Sequence, residues 1–355
     1  MYLLPKPKTI KEQDGQMLLC HSTHIVMTKE VAETEMHAAK RLQEAIRQET
    51  GLILPFSVGE VREGDLSLGI AKTLPEQTYE ITIDEKGGQI SGGDGAGVLY
   101  GVETFCQIVQ QCGGILPCVQ IQDAPDMPNR GYYFDQTRGR VLKLEELKKI
   151  ADRMCRYKLN QLQLYVEHTY LFRDFSEMWR DQTPLTAEEI RELDSYCRER
   201  HIELVPSLAS FGHLCTLLST KTYGDLCEME DSWKEPFSFW NRMRYHTINV
   251  SDERSLPLIK KMIAEYMQLF SSNKFNICAD ETFCLGKYKS KKLAEERGVH
   301  RLYIDYVKEL AQFLVENGKI PMFWGDIIWN SPELMKELPE SMICLCLLYT
   351  SDAAD

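Results

Sequence analysis

Lys274-Phe275-Asn276-Ile277-Cys278-Ala279-Asp280-Glu281-Thr282 is a short apolar run that closes on two adjacent carboxylates. A strand buried on both faces of a parallel sheet reads this way, because no polar alternation survives along it. Neighbouring strand side chains point to opposite faces, so Asp280 and Glu281 reach one ligand only where the strand bends into its loop. Working outward, five further strands are predicted: Gly131 to Phe134, Gln161 to Val166, Glu203 to Ser207, Pro321 to Trp324 and Met342 to Leu345, with ours spanning Lys274 to Ala279. Each but the last is expected to be followed by an amphipathic helix. Leu144, Leu147, Ile150, Ala151 and Met154 mark the first; the capping box Thr186-x-x-Glu189 opens the second. Leu258, Ile259, Met262, Ile263 and Tyr266 mark the third, and Leu302, Tyr306, Leu310 and Phe313 the fourth. Alternating strand and helix means an α/β fold with a parallel sheet, either an open doubly wound sheet or a (β/α)8 barrel.

The end of the chain bears on that choice. Residues 346–355 match a translated transposase sequencing adapter, so the natural gene is expected to run on past Leu345. Six strands with a lost end predict a (β/α)8 TIM barrel, incomplete here at about six strands. Before the Pro-rich joint Ala124-Pro125-Asp126-Met127-Pro128 the texture differs. Thr78 to Ile83 alternates at period two and turns through Gly87-Gly88 into a second strand, while helical patterns over Ala38 to Glu49 and Val98 to Gln110 stop at Gly51 and Gly113. The expected organisation is a small α+β domain over 1–125, barrel over 126–345 and an adapter tail over 346–355. The irregular stretch from Leu208 to His246 is too long for a plain connection and is expected over the C-terminal rim, where barrel enzymes keep substrate loops.

A chain of 355 residues is too large for a small binding module. Acidic residues outnumber basic ones 53 to 41, a net charge of −12 that disfavours nucleic acid and anionic membranes as partners. No secretory h-region or run of 18 apolar residues appears, so a cytoplasmic protein is expected. The 12 cysteines show no CxxC or Cys/His ligand spacing and read as buried thiols.

Close carboxylates raise each other's pKa, which suits Asp280 and Glu281 to acid and base work, although on the dipeptide alone a helix N-cap with a solvated charge is the better reading. Other strand ends are also polar: Asp135 between Arg130 and Arg138, Glu167-His168, Ser210-Phe211-Gly212-His213, and Trp324-Gly325-Asp326 with Trp329 near. Carboxylates and arginines that fork onto hydroxyls, beside indole faces that stack on a ring, fit a neutral glycan. A metal reading of Asp280, Glu281, His213 and His168 lacks any His-x-His or HExxH spacing, so no cofactor is expected. Gly92-Gly93-Asp94-Gly95-Ala96-Gly97 precedes a helix without the lysine of a P-loop and reads as a tight turn.

These motifs in this order resemble the family 20 glycoside hydrolases, the β-N-acetylhexosaminidases, over most of residues 1–345. The resemblance rests on Leu4-Pro5-Lys6-Pro7, the run from Gly95 to Gln107, Arg130-Gly131-Tyr132-Tyr133-Phe134-Asp135 with Arg138, Ile248-Asn249-Val250, and Asn276 to Glu281. It implies substrate-assisted cleavage, in which the 2-acetamido oxygen of the sugar is the nucleophile. Glu281 is then the acid and base, Asp280 the acetamido partner, Arg130 a hydroxyl clamp, His213 a substrate-binding residue matching the family's histidine after the third strand, and Trp324 a stacking surface. Asp135, Glu167, His168 and Asp326 are further candidates for substrate contact. Asn276, Cys278 and Ala279 depart from the His, Gly and Gly often found there, and the family's late tyrosine and last sugar ligands are expected beyond Leu345, so this chain alone is expected to be inactive. Two alternatives remain: a retaining barrel glycosidase with Glu167 as nucleophile, and a carbohydrate-binding relative without catalysis.

Overall fold

A computed structural model describes residues 1–236 and 238–346. The chain divides into two compact units. The first comprises Met1–Tyr132 with Lys148–Gln161 and Ser195–Ile202; the second comprises Tyr133–Leu147, Leu162–Asp194 and the chain from Glu203 on.

Seven strands form the sheet of the first unit: β1 (Thr9–Leu18), β2 (Ile25–Met27), β3 (Phe56–Val58), β4 (Leu66–Ile70), β5 (Tyr79–Asp84), β6 (Gly87–Gly92) and β7 (Ile115–Asp123), in the order β1-β7-β5-β6-β4-β2-β3. The expected hairpin is β5–β6, antiparallel from Tyr79↔Gly92 to Asp84↔Gly87. Tyr79, Ile81 and Ile83 are buried, as period-two alternation requires. Helices α1 (Lys29–Thr34), α2 (Met36–Thr50) and α3 (Gly95–Cys112) complete the layer. Gly51 ends α2 in the left-handed conformation, φ 75°, where glycine carries no Cβ penalty. The glycine run before α3 serves close packing: a Cβ on Gly93 would lie 1.9 Å from the Pro75 carbonyl oxygen and one on Gly97 2.2 Å from that of Thr78, while Asp94 caps the helix through Gly97 N–H.

The second sheet has six strands, in the order β13-β12-β11-β10-β9-β8: β8 (Gly131–Asp135), β9 (Gln161–Val166), β10 (Glu203–Leu208), β11 (Lys274–Asn276), β12 (Ile320–Trp324) and β13 (Ile343–Leu345). Its strands run parallel where β10, β11, β12 and β13 pair, with Ser207↔Asn276, Asn276↔Met322 and Trp324↔Leu345 in register. Between strands come α4 (Leu144–Arg156), α5 (Ser176–Trp179), α6 (Ala187–Arg198), α7 (Cys215–Leu218), α8 (Phe239–Arg244), α9 (Ser255–Met267), α10 (Lys291–Arg297) and α11 (Val299–Glu316). The capping box before α6 is formed: Thr186 N–H donates to Glu189 Oε2 at 2.9 Å and Glu189 N–H to Thr186 Oγ1 at 3.2 Å. This is the incomplete (β/α)8 architecture expected from the alternation.

Two local expectations are corrected. No amphipathic helix follows β12; two 3-10 turns, Ile328–Asn330 and Pro332–Glu337, stand there instead. Pro339 holds Leu338 extended at ψ 156°, which stops the second turn before it can lengthen. Strand β11 ends at Asn276, three residues before the expected Ala279, because Cys278 and Ala279 take left-handed φ of 58° and 63° that no ladder accepts. The residues of the expected tail beyond Cys346 lie outside the described ones.

Candidate active site

The chain beyond Asn276 is clamped from both sides. Ile277 N–H donates to Met322 O and Trp324 N–H to Cys278 O on the β12 side. Ser210 Oγ donates to Ile277 O at 2.6 Å, and Tyr303 of α11 donates to Ala279 O at 3.0 Å. Between these anchors the backbone turns through positive φ at Cys278, Ala279 and Glu281, which swings the two carboxylates off the alternating faces of a strand. Gly212 lies against the same turn. A Cβ there would fall 2.6 Å from the Asp280 carbonyl oxygen, so only glycine lets the β10 loop approach so closely.

That approach delivers His213. Its ring is buried, and Nε2 lies 3.2 Å from Asp280 Oδ2 and 3.4 Å from Glu281 Oε2. Burial opposes a charged ring, but the hydrogen bond to Asp280 and the charges of Asp280, Glu167 and Glu281 outweigh it and lift the His213 pKa above 6.5. Behind the pair, Asp326 Oδ2 accepts Glu281 N–H at 3.1 Å, while its Oδ1 is buried without a partner. Burial, with the charge of Asp280 added, raises the Asp326 carboxyl to about 6 despite that N–H. Asp326 therefore braces the backbone of Glu281.

Glu167, at 3% exposure, is enclosed by donors: Tyr165 OH to Oε1 at 3.0 Å, Arg242 Nη2 to Oε2 at 3.0 Å, and Arg138 Nε 3.7 Å from Oε1. Next to it His168 is buried and hydrogen-bonded at Nδ1 to Thr216. Burial and the Arg242 charge push that imidazole down to about 4, so it is neutral. Asp135 accepts from Thr137 N–H, Arg138 N–H and Arg138 Nε, which folds the β8 loop and aims Arg138 at Glu167. Trp324 packs edge-on against Tyr133 at 5.2 Å, and Tyr133 OH meets Ser207 Oγ at 3.0 Å.

Asp280, Glu281, His213 and Asp326 are thus one cluster at the loop ends of β10, β11 and β12; Glu167, His168 and Asp135 form a second group joined through Arg138 and Arg242. Arg130 belongs to the first unit, where its guanidinium donates to the carbonyls of Met127, Pro128 and Lys158 and to Tyr100 OH. Those bonds engage every nitrogen of the side chain expected to clamp sugar hydroxyls, and two of them end on carbonyls of the Pro-rich joint. Arg138, named from sequence only as a flank, and Arg242, not named at all, are the arginines that face Glu167. The signal for Arg242 lay in the Asn241-Arg242-Met243-Arg244 cluster of the long rim loop. Among the described residues no group of three or more His, Cys, Asp or Glu side chains could hold a metal ion.

A model described as Glycosyl hydrolase family 20, domain 2, matches residues 1–124, and one described as Glycosyl hydrolase family 20, catalytic domain, matches residues 128–344. A Beta-hexosaminidase of Porphyromonas gingivalis is 24% identical over 92% of this chain and 45% of its own length, and one of Vibrio furnissii 26% identical over 79% and 48%. The chain thus spans about half the length of these curated relatives. In three dimensions it is similar to Streptomyces plicatus N-acetyl-beta-hexosaminidase, with a TM-score of 0.79 at 20% identity over 99% of this chain and 70% of that one. It is also similar to beta-N-acetylhexosaminidase from Bacteroides fragilis, at 0.76 and 19% over 96% and 69%.

Proposed function

Since the chain belongs to glycosyl hydrolase family 20, we propose that its protein removes terminal N-acetylhexosamine, GlcNAc or GalNAc, from β-linked glycans by substrate-assisted retaining catalysis. The observation that carries this reading is His213, whose Nε2 lies within 3.4 Å of a carboxylate oxygen of both Asp280 and Glu281. The acetamido carbonyl oxygen of the sugar attacks the anomeric carbon as the bond to the leaving oxygen breaks, and Glu281 gives that oxygen its proton. Asp280 accepts the acetamido N–H, orienting it and stabilising the positive charge of the cyclic oxazolinium. Glu281, now a carboxylate, takes a proton from water as the water oxygen attacks the anomeric carbon and reopens the ring. Both steps invert that carbon, so configuration is retained. His213 holds the two carboxylates in register, and Arg138 presents donors to sugar hydroxyls.

The enclosure of Glu167 supports a substrate nucleophile over a protein one, since its oxygens face Tyr165, Arg138 and Arg242. No helix among the described residues is long and apolar enough to cross a membrane. All 12 cysteines are free, which supports a reducing, cytoplasmic location. Aryl β-glycosides with and without the 2-acetamido group test the function: turnover confined to acetamido sugars is expected, and equal turnover of the plain glucoside overturns it.

A further inference from the structure

Glu228 carries a buried carboxylate that the proposed chemistry does not use. Its Oε1 accepts three bonds from one stretch of chain: Tyr288 N–H at 3.2 Å, Ser290 N–H at 3.0 Å and Ser290 Oγ at 2.7 Å. Its backbone carbonyl accepts Lys289 N–H at 3.3 Å. The other carboxylate oxygen, Oε2, is buried with no hydrogen-bond partner among the described residues, so the side chain is committed to that stretch. Tyr288 and Ser290 precede Lys291, the first residue of α10, so their N–H groups are not the open ones inside a helix that a cap would satisfy. The carboxylate holds a loop.

That loop begins at Glu281. Phe283 N–H bonds to Glu281 O at 2.7 Å, Leu285 N–H to Thr282 O at 3.1 Å and Lys287 N–H to Cys284 O at 3.1 Å, while Gly286 N–H donates to the same Ser290 hydroxyl at 3.0 Å. Each tight turn adjoins the next, so a shift at Ser290 is passed back toward Glu281. On its other side Glu228 is joined to the loop that carries His213. Glu228 N–H donates to Thr247 O at 2.9 Å, Ile248 N–H to Phe211 O at 3.0 Å and Leu214 N–H to His246 O at 3.1 Å. Glu228 thus spans the two loops whose meeting sets Glu281 against His213. We propose that Glu228 is a positioning residue, fixing the loop after Glu281 so that the Glu281 carboxyl is held where it can protonate the departing oxygen. This inference rests on the function proposed above and adds to it a residue that touches no substrate.

A departing 2,4-dinitrophenolate needs no proton, whereas a departing methoxide does. The experiment compares kcat/KM for the 2,4-dinitrophenyl and methyl β-N-acetylglucosaminides in the unsubstituted chain, in Glu228→Ala and in Glu228→Gln. Glu228→Ala should lower the methyl-to-dinitrophenyl ratio by about tenfold or more, because a displaced acid serves only the leaving group that needs it. Glu228→Gln keeps an oxygen for Tyr288 and Ser290 and should restore the ratio. Equal loss on both substrates, as a weakened fold gives, overturns the positioning role; so does no loss, or no recovery in Glu228→Gln. If Glu228→Ala does not fold, Ser290→Ala, which removes the hydroxyl between Glu228 and Gly286, is held to the same ratio. Absence of turnover by the unsubstituted chain counts against the proposed function alone, and amide hydrogen exchange then decides. Faster exchange at Phe283 N–H in Glu228→Ala, with the β9 amides unchanged and protection regained in Glu228→Gln, supports the role, and unchanged exchange at Phe283 overturns it.

Discussion

His213 and Asp280, 67 residues apart in the chain, meet at 3.2 Å because a glycine at 212 lets one loop lie on the carbonyl of the other. That meeting fixes the acid pair relative to β10 and makes the histidine responsive to the charges around it.

Removing the proton donor is the most direct check. Glu281→Gln keeps the shape and the Asp326 bond to the backbone but has no proton to give, so kcat on an alkyl or sugar leaving group should fall by about 10²–10⁴-fold. Unaltered turnover would place the acid elsewhere.

Charge on His213 should be visible in stability. Its folded pKa is raised, so the stabilisation is complete below the unfolded value of 6.5 and disappears as pH rises through the higher folded value. The gap in Tm between the unsubstituted chain and His213→Gln should therefore be widest near pH 6 and close at alkaline pH. A gap independent of pH would contradict the charge balance.

Asp326 should behave in the same direction for a different reason. A carboxyl raised from 3.8 to about 6 binds its proton more tightly when folded, so stability relative to a neutral isostere declines across that window and stays lower above it. Asp326→Asn, which still offers an oxygen to Glu281 N–H, should raise Tm by a few degrees at pH 7.5 and leave it unchanged near pH 3.5.

The left-handed turn offers two backbone tests. Ala279 at φ 63° should gain about 1 kcal/mol on replacement by glycine, read as a shift in denaturant midpoint. Gly212→Ala should do the opposite, costing about 1–3 kcal/mol by overpacking against the Asp280 carbonyl, with a drop in kcat as the pair moves.

The alternation of buried strands with helices was legible because parallel strands covered on both faces announce themselves as apolar runs, and the caps at Thr186 and Gly51 announce helix ends. The polar strand ends were legible as a set. What stayed hidden depends on contacts distant in sequence. Nothing in Cys278 or Ala279 declares positive φ, since the conformation is imposed by Met322, Trp324, Ser210 and Tyr303; the resemblance to a family with glycines there was the available hint. Arg130 and Arg138 looked equivalent in sequence, and only the folded chain shows the first bonded to backbone carbonyls and the second to Asp135. Arg242 lies in an irregular loop, where periodicity gives no direction.

The bend after β11 also bears on how binding free energy can be spent. Residues forced into αL geometry cost about 1–2 kcal/mol each, and that cost is met once, during folding, by the four anchors around the turn. Under the function proposed here, the two carboxylates would await the sugar with their entropy already lost, leaving affinity drawn from the rest of the glycan for flattening the pyranose toward its oxocarbenium shape.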